Sequence, residues 1–247
     1  MPKERRPQGQ FKLVPGAGQD FIEANIAEIC RSGAHIVGVL AIDARVEILR
    51  RLAWLERLSE QRSGQTTENV GALLAYLAKQ GYEDSESNVS VHLKILQAAE
   101  LIKGVKMGTE IFYSLNGPGI TNAILLLMAC FGLAGTDLPL VLTVLRPDEF
   151  HSWSAEVKYL YRGLDGSVLY VYLFRQLALG PKTVKGLIST STRVFSVDQG
   201  RVTAYIQKLL QANIIGATDF PHRAYFLNYG KDARVAAVRY LVTVTRA

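Results

Sequence analysis

Between residues 46 and 58, Val46, Leu49, Leu52, Leu55 and Leu58 fall on one stripe, with Arg50, Arg51, Glu56 and Arg57 mostly outside it, which predicts an amphipathic helix. Residues 69–79 predict a second helix, closed by Gly81, which adopts the left-handed conformation of a helix end without a Cβ penalty. A third starts at Ser85 or Ser87, either of which can accept a hydrogen bond from the first-turn amides. Val89, Leu93 and Leu96 form its buried face, while Ser87, Asn88, Ser90, Val91, Lys94 and Gln97 lie largely elsewhere. After Ile102 the period changes. Gly104 and Gly108 are turn formers, and residues 110–115 alternate as a strand does, so the segment reads as a two-stranded hairpin.

A shift of 113 residues brings a second copy into register without a gap. Leu74 falls on Leu187, Val89 on Val202, Leu93 on Ile206, Leu96 on Leu209, Ala99 on Ala212 and Ile102 on Ile215, while Phe112 and Tyr113 fall on Tyr225 and Phe226. An earlier helix over residues 167–179 precedes Gly180 and Pro181, and Thr183 caps a short helix ending near Ser189. Agreement of element order with apolar phase is harder to obtain by accident than identity at a few sites. Three helices and a hairpin make a winged helix-turn-helix. The expected fold is therefore mainly α with small β-hairpin wings (α+β), as tandem winged helix-turn-helix domains joined by a helical segment. The pattern divides the chain into a flexible basic tail (1–20), an N-terminal winged-helix domain with a leading helix (21–117), an apolar helix and connector (118–166) and a C-terminal basic winged-helix domain (167–247). The apolar run at 120–133 is shorter than the roughly 20 residues of a membrane span and reads as a buried helix, packed inside its own chain or against a partner subunit.

The chain has 247 residues, 49% of them apolar and 20% charged, as in ordinary globular proteins, and is long enough for two small domains. Cys30 and Cys130 both lie in apolar settings, which suits buried thiols in a reducing cytoplasm, and residues 1–20 lack the apolar core of an export signal. The net charge of +6 is unevenly spread. Residues 41–116 carry nine basic and ten acidic groups, whereas residues 167–247 carry eleven basic groups against Asp198, Asp219 and Asp232, a net +8. Such a concentration supplies a footprint for phosphates, whose neutralisation releases counterions.

The segment SNVSVHLKILQAAELIKGVKMGTEIFYSLN (87–116) resembles the recognition helix and wing of ArsR-type bacterial winged-helix repressors through Val89, Ser90, His92, Leu93, Leu96 and residues 108–113. LALGPKTVKGLI and GRVTAYIQKLLQANIIG in the second half are similar to the broader ArsR/MarR-like superfamily, with Thr203 and Tyr205 in place of the Ser-x-His signature. The resemblance covers about 70 residues of each half and implies a cytoplasmic bacterial transcription regulator acting as a dimer on double-stranded DNA. The cysteine and Asp/His sets of its metal-sensing members are missing from this sequence, so neither metal nor cofactor is expected.

A recognition helix offers its exposed side chains to base edges, and wing cations meet phosphates. In the first copy these are Ser87, Asn88, Ser90 and Lys94, with Lys103 and Lys106 on the wing and His92 as a candidate phosphate contact. Val91 offers only apolar contact, and Glu83, Asp84 and Glu86 oppose phosphate, which leaves this copy a weaker reader or a protein-contact domain. In the second copy the positions are Gly200, Arg201, Thr203, Ala204 and Gln207, with Lys208 adjacent, Arg193 just before the helix, and His222 and Arg223 on the wing. Arg pairs bidentately with guanine and Gln with adenine, so this copy is the expected principal contact. Tyr205 is expected in the core.

No P-loop, G-x-S-x-G or H-E-x-x-H occurs, and His35, His92, His151 and His222 lack ligand spacing, so no catalysis is expected. A dimer would form through 120–133 or 21–30. A plasmid-type replication initiator with two winged helices and a non-catalytic interaction scaffold stay open as alternatives.

Overall fold

Side-chain caps and apolar phase set the element boundaries in the computed structural model, which describes residues 10–61, 66–133, 147–218 and 223–246. The chain opens with α1 (Gln19–Ala24), α2 (Ile26–Leu40), α3 (Asp43–Gln61), α4 (Val70–Lys79) and α5 (Glu86–Ala98). The hairpin β1 (Ile102–Met107) and β2 (Glu110–Leu115) follows, then α6 (Gly117–Cys130), α7 (Pro147–Leu164) and α8 (Val168–Ala178). The remainder is β3 (Lys182–Thr183), α9 (Val184–Phe195), α10 (Gln199–Gln211), β4 (Ile215–Thr218), β5 (Ala224–Leu227) and α11 (Lys231–Arg246). It is a mainly helical α+β protein with two small antiparallel sheets.

Asn69, Ser85, Thr183 and Asp198 cap α4, α5, α9 and α10, each accepting a hydrogen bond from the amide three residues on. Ser85 is therefore the cap, and Ser87 only meets its hydroxyl at 2.8 Å. The boundaries of α5 and α10 differ by the same 113 residues at both ends, and the second residue beyond each helix, Glu100 and Asn213, is left-handed with φ 51°. Antiparallel β1–β2 and β4–β5 each gain a third partner from before the paired helices, Glu68 bridging to Tyr113 and β3 pairing with β5. One element departs from expectation. α9 continues past Ser189 to Phe195, because Thr190 returns its hydroxyl to the carbonyls of Gly186 and Leu187 and Ser191 is fully buried, so the Ser/Thr run does not end the helix. Arg193 consequently sits in the last turn of α9.

A single hydrophobic core runs from Leu13 to Val244 and crosses the boundaries drawn from the sequence. Its centre is α2, which packs on α3, α6, α7 and α8, while α11 packs on α3, α6 and α7. Ile124, Leu126, Leu127 and Met128 of α6 are buried by these neighbours, as are Ile22, Ile26, Ile29 and Cys30. Residues 120–133 are thus almost wholly buried in their own chain, whereas Phe21 of the segment 21–30 stays 44% exposed. The thiols of Cys30 and Cys130 meet at the α2–α6 seam, where burial, followed by the hydrogen bond between them, pushes Cys30 well above the usual thiol range.

The expected flexible tail is corrected over residues 10–13, which are bonded to the body of the protein, whereas Val14 is 63% exposed. Gln10 is buried and donates to the Ala99 carbonyl at 2.7 Å, and Asn122 accepts from the Leu13 amide at 2.9 Å while donating to the Phe11 carbonyl at 3.0 Å. Residues 1–9 lie outside the described residues. Among the described residues no helix is long and apolar enough to cross a membrane.

Backbone meets backbone where α2 crosses the turn between α7 and α8. A Cβ on Gly166, which has φ +62°, would lie 2.9 Å from the Cα of Gly38 and 3.0 Å from the Ala34 carbonyl oxygen. Gly166→Ala is predicted to lower unfolding free energy by about 1–3 kcal/mol in urea titration. Gly18→Ala, with nothing within 4 Å of its Cβ, should stay within about 0.5 kcal/mol of wild type.

Candidate nucleic-acid interface

The second helix–helix–hairpin unit turns a polar face outward along α10. Val202, Ile206 and Leu209 anchor the helix to the core, which leaves Gly200, Arg201, Thr203, Ala204, Gln207 and Lys208 exposed. Arg193, exposed at the end of α9, and Arg223, exposed at the start of β5 with its guanidinium 5.8 Å from the Tyr225 ring, lie on the elements flanking that face. Thr203 donates its hydroxyl to the Gln199 carbonyl at 2.9 Å, so outward it presents its methyl and an oxygen that accepts. Asp198, the acid at the start of this helix, is engaged in capping the Arg201 amide at 2.7 Å. His222 lies outside the described residues.

Tyr205 is half-buried rather than core. Its ring packs against Tyr170 with centroids 4.4 Å apart, and Arg201 and Lys208 lie 5.8 and 6.0 Å from its centroid. Hydrogen bonds from Arg201 and then Ser167 hold its phenol below the usual tyrosine range. Arg201 and Lys208 are thereby drawn together at one edge of the helix.

Counting charge along the sequence overstated the basic footprint. Arg175 is fully buried, donating to the Ala129 carbonyl and, at 2.6 Å, to Oε1 of Glu23. Arg234 is spent on the carbonyls of Phe131 and Ala178, at 3.0 and 3.1 Å. Lys182, Lys185, Arg193, Arg201, Lys208 and Arg223 remain at the surface of this unit, Lys182 half-buried and the others exposed.

The first unit has the same backbone order and a different surface. Ser87, Asn88 and Lys94 of α5 are exposed, Ser90 is half-buried, and Lys103 and Lys106 are exposed on β1. Glu83 and Glu86 are exposed beside them, and so are the apolar Val91, Val105 and Met107. Two of the four arginines of α3 are paired with acids, Arg50 with Glu47 and Arg51 with Glu68. His92 is corrected as a phosphate contact. It turns inward, with its side chain 16% exposed, accepts at Nδ1 from Arg45 Nε at 3.3 Å and places Nε2 3.9 Å from Asp84. Among the described residues no group of His, Cys, Asp and Glu is arranged to hold a metal ion.

Compared with known proteins, the sequence matches no family model and no curated protein.

Burial, with Arg45 adding to it and Asp84 opposing it, lowers the pKa of His92 below 6.5, and burial and Arg45 lower that of His35. The unfolded chain therefore binds more protons near pH 6, so stability is full above about pH 6.5 and declines as pH falls from there toward the folded-state values. Urea midpoints at pH 7.5 and 5.5 should show that decline, and His92→Gln should reduce it.

Proposed function

We propose that this chain is a DNA-binding regulator of transcription, built from two winged helix-turn-helix units of the ArsR-like kind, and that the second unit is its principal reader of duplex DNA. The observation that carries the reading is the outward face of α10, where Arg201, Thr203, Gln207 and Lys208 are all exposed on one helix. Arg201 and Gln207 are suited to bidentate pairing with guanine and adenine, and Lys208, Arg193 and Arg223 to phosphates on either side. The chemistry is recognition without catalysis.

For the first unit a second reading is favoured by its surface. Val91, Val105 and Met107 are 50%, 52% and 57% exposed among acids and lysines, a mixture better suited to a protein partner than to a polyanion. An initiator of replication would use the same α10 face on directly repeated sites, whereas a dimeric regulator would occupy inverted ones, so footprint geometry separates the two.

Gel-shift titration of the full chain on a selected duplex tests the ranking of the two units. Arg201→Ala should cost roughly 1–3 kcal/mol and relax base preference at one position, and Lys94→Ala should cost less. Equal losses, or no loss from Arg201→Ala, would overturn it.

A further inference from the structure

We infer that one phosphate of the bound strand is seated in a cleft between α2 and the second unit, held by Arg31 of α2 beside the hydroxyls of Ser167 and Tyr205, while the neighbouring Arg201 of α10 keeps its place at the base edge. The inference rests on the reading of α10 as a DNA-contacting helix. It adds a contact from outside the winged-helix pattern.

The cleft encloses about 270 Å³ and is lined by Arg31, Arg201 and Tyr205, by Ser167 at the start of α8, and by the apolar Phe195 and Val197. Two guanidiniums from remote parts of the sequence thus border one cavity that also contains two hydroxyls. The Tyr205 phenol is fixed there by Arg201, by Ser167 and by its packing on Tyr170. Ser167, at the α8 N-terminus, makes no side-chain bond to the first-turn amides. Charged donors beside an apolar wall act through a lower effective dielectric than they would in open water, and guanidinium matches the oxygen spacing of a phosphate.

Arg31 is not idle at present, since it pairs with Glu28 one turn earlier. Both side chains are about half exposed, at 46% and 50%, and such a surface pair contributes little, so a phosphate can displace the carboxylate. Because Arg201 borders both the cleft and the exposed face of α10, an anion seated here continues the path of a strand lying along that helix.

The test is fluorescence anisotropy of the full-length protein on duplex DNA across a range of chloride concentrations, with the circular dichroism spectrum of each variant compared with wild type. Arg31→Ala should weaken binding roughly 3- to 10-fold, equally on specific and unrelated duplexes, and should reduce the slope of log affinity against log salt by about 0.9. Arg31→Lys should restore most of the slope, and Glu28→Gln should tighten binding. Wild-type affinity and slope in Arg31→Ala would overturn the inference while leaving α10 as the reader. Absence of duplex binding by the wild-type chain would instead overturn the reading beneath it. Inorganic phosphate provides the remaining arm. If it competes with DNA more strongly than chloride at matched ionic strength, and Arg31→Ala abolishes that excess, the strand's phosphate occupies the seat; phosphate that binds through Arg31 without any such excess competition makes it a free-anion site, and the strand assignment fails.

Discussion

One guanidinium, that of Arg175, ties together parts of the chain that the sequence keeps far apart. It projects from α8, the first helix of the second unit, and meets the last turn of α6, the helix that leaves the first unit, while its other branch reaches Glu23 in α1. Withdrawing such a group from water costs several kcal/mol unless its hydrogen bonds are well made. A slide of α8 along α6 would strand the charge, so its burial selects one packing of the two units on the central helices. The close approach of Gly38 and Gly166 constrains the turn between α7 and α8 against α2 by steric means.

On that frame two units with the same order of elements carry different surfaces. Val91 of α5 corresponds by the 113-residue offset to Ala204 of α10, and Val105 of β1 to Thr218 of β4. A serine caps α5 and an aspartate caps α10, yet α10 is the helix with the cationic exposed face. Cap and face are thus separate variables: the cap satisfies amides at the helix start, and the residues three and four positions apart along the outer side determine what the helix can approach.

What could be read from the sequence was local. The amphipathic stripes, the caps at Thr183 and Ser85, and the hairpin at residues 102–115 were legible because period and capping chemistry are carried by neighbouring residues. The internal offset was legible for the same reason. The length of α9 was not, since hydroxyls that return to the preceding turn look like helix breakers until the tertiary contacts of Ser191 are known. The candidate interface divides in the same way. Exposure of Arg201, Gln207 and Lys208 follows from helical phase, whereas the inward turn of His92 depends on Arg45, and the burial of Arg175 and Arg234 on helices from elsewhere in the chain. A signal for Arg175 did exist, because its neighbours Val171, Leu173, Phe174 and Leu177 are too apolar for a solvent-facing turn. For Arg31 there was none, since its relation to Arg201 arises only when α2 and α10 meet across the cleft.

The paired thiols at the α2–α6 seam have a practical consequence. Cys30 and Cys130 are the chain's only cysteines, and both are sealed from solvent. A thiol-modifying reagent can reach them only when the central helices part, so its reaction rate times the breathing of the molecule's interior, with no label or engineered probe required.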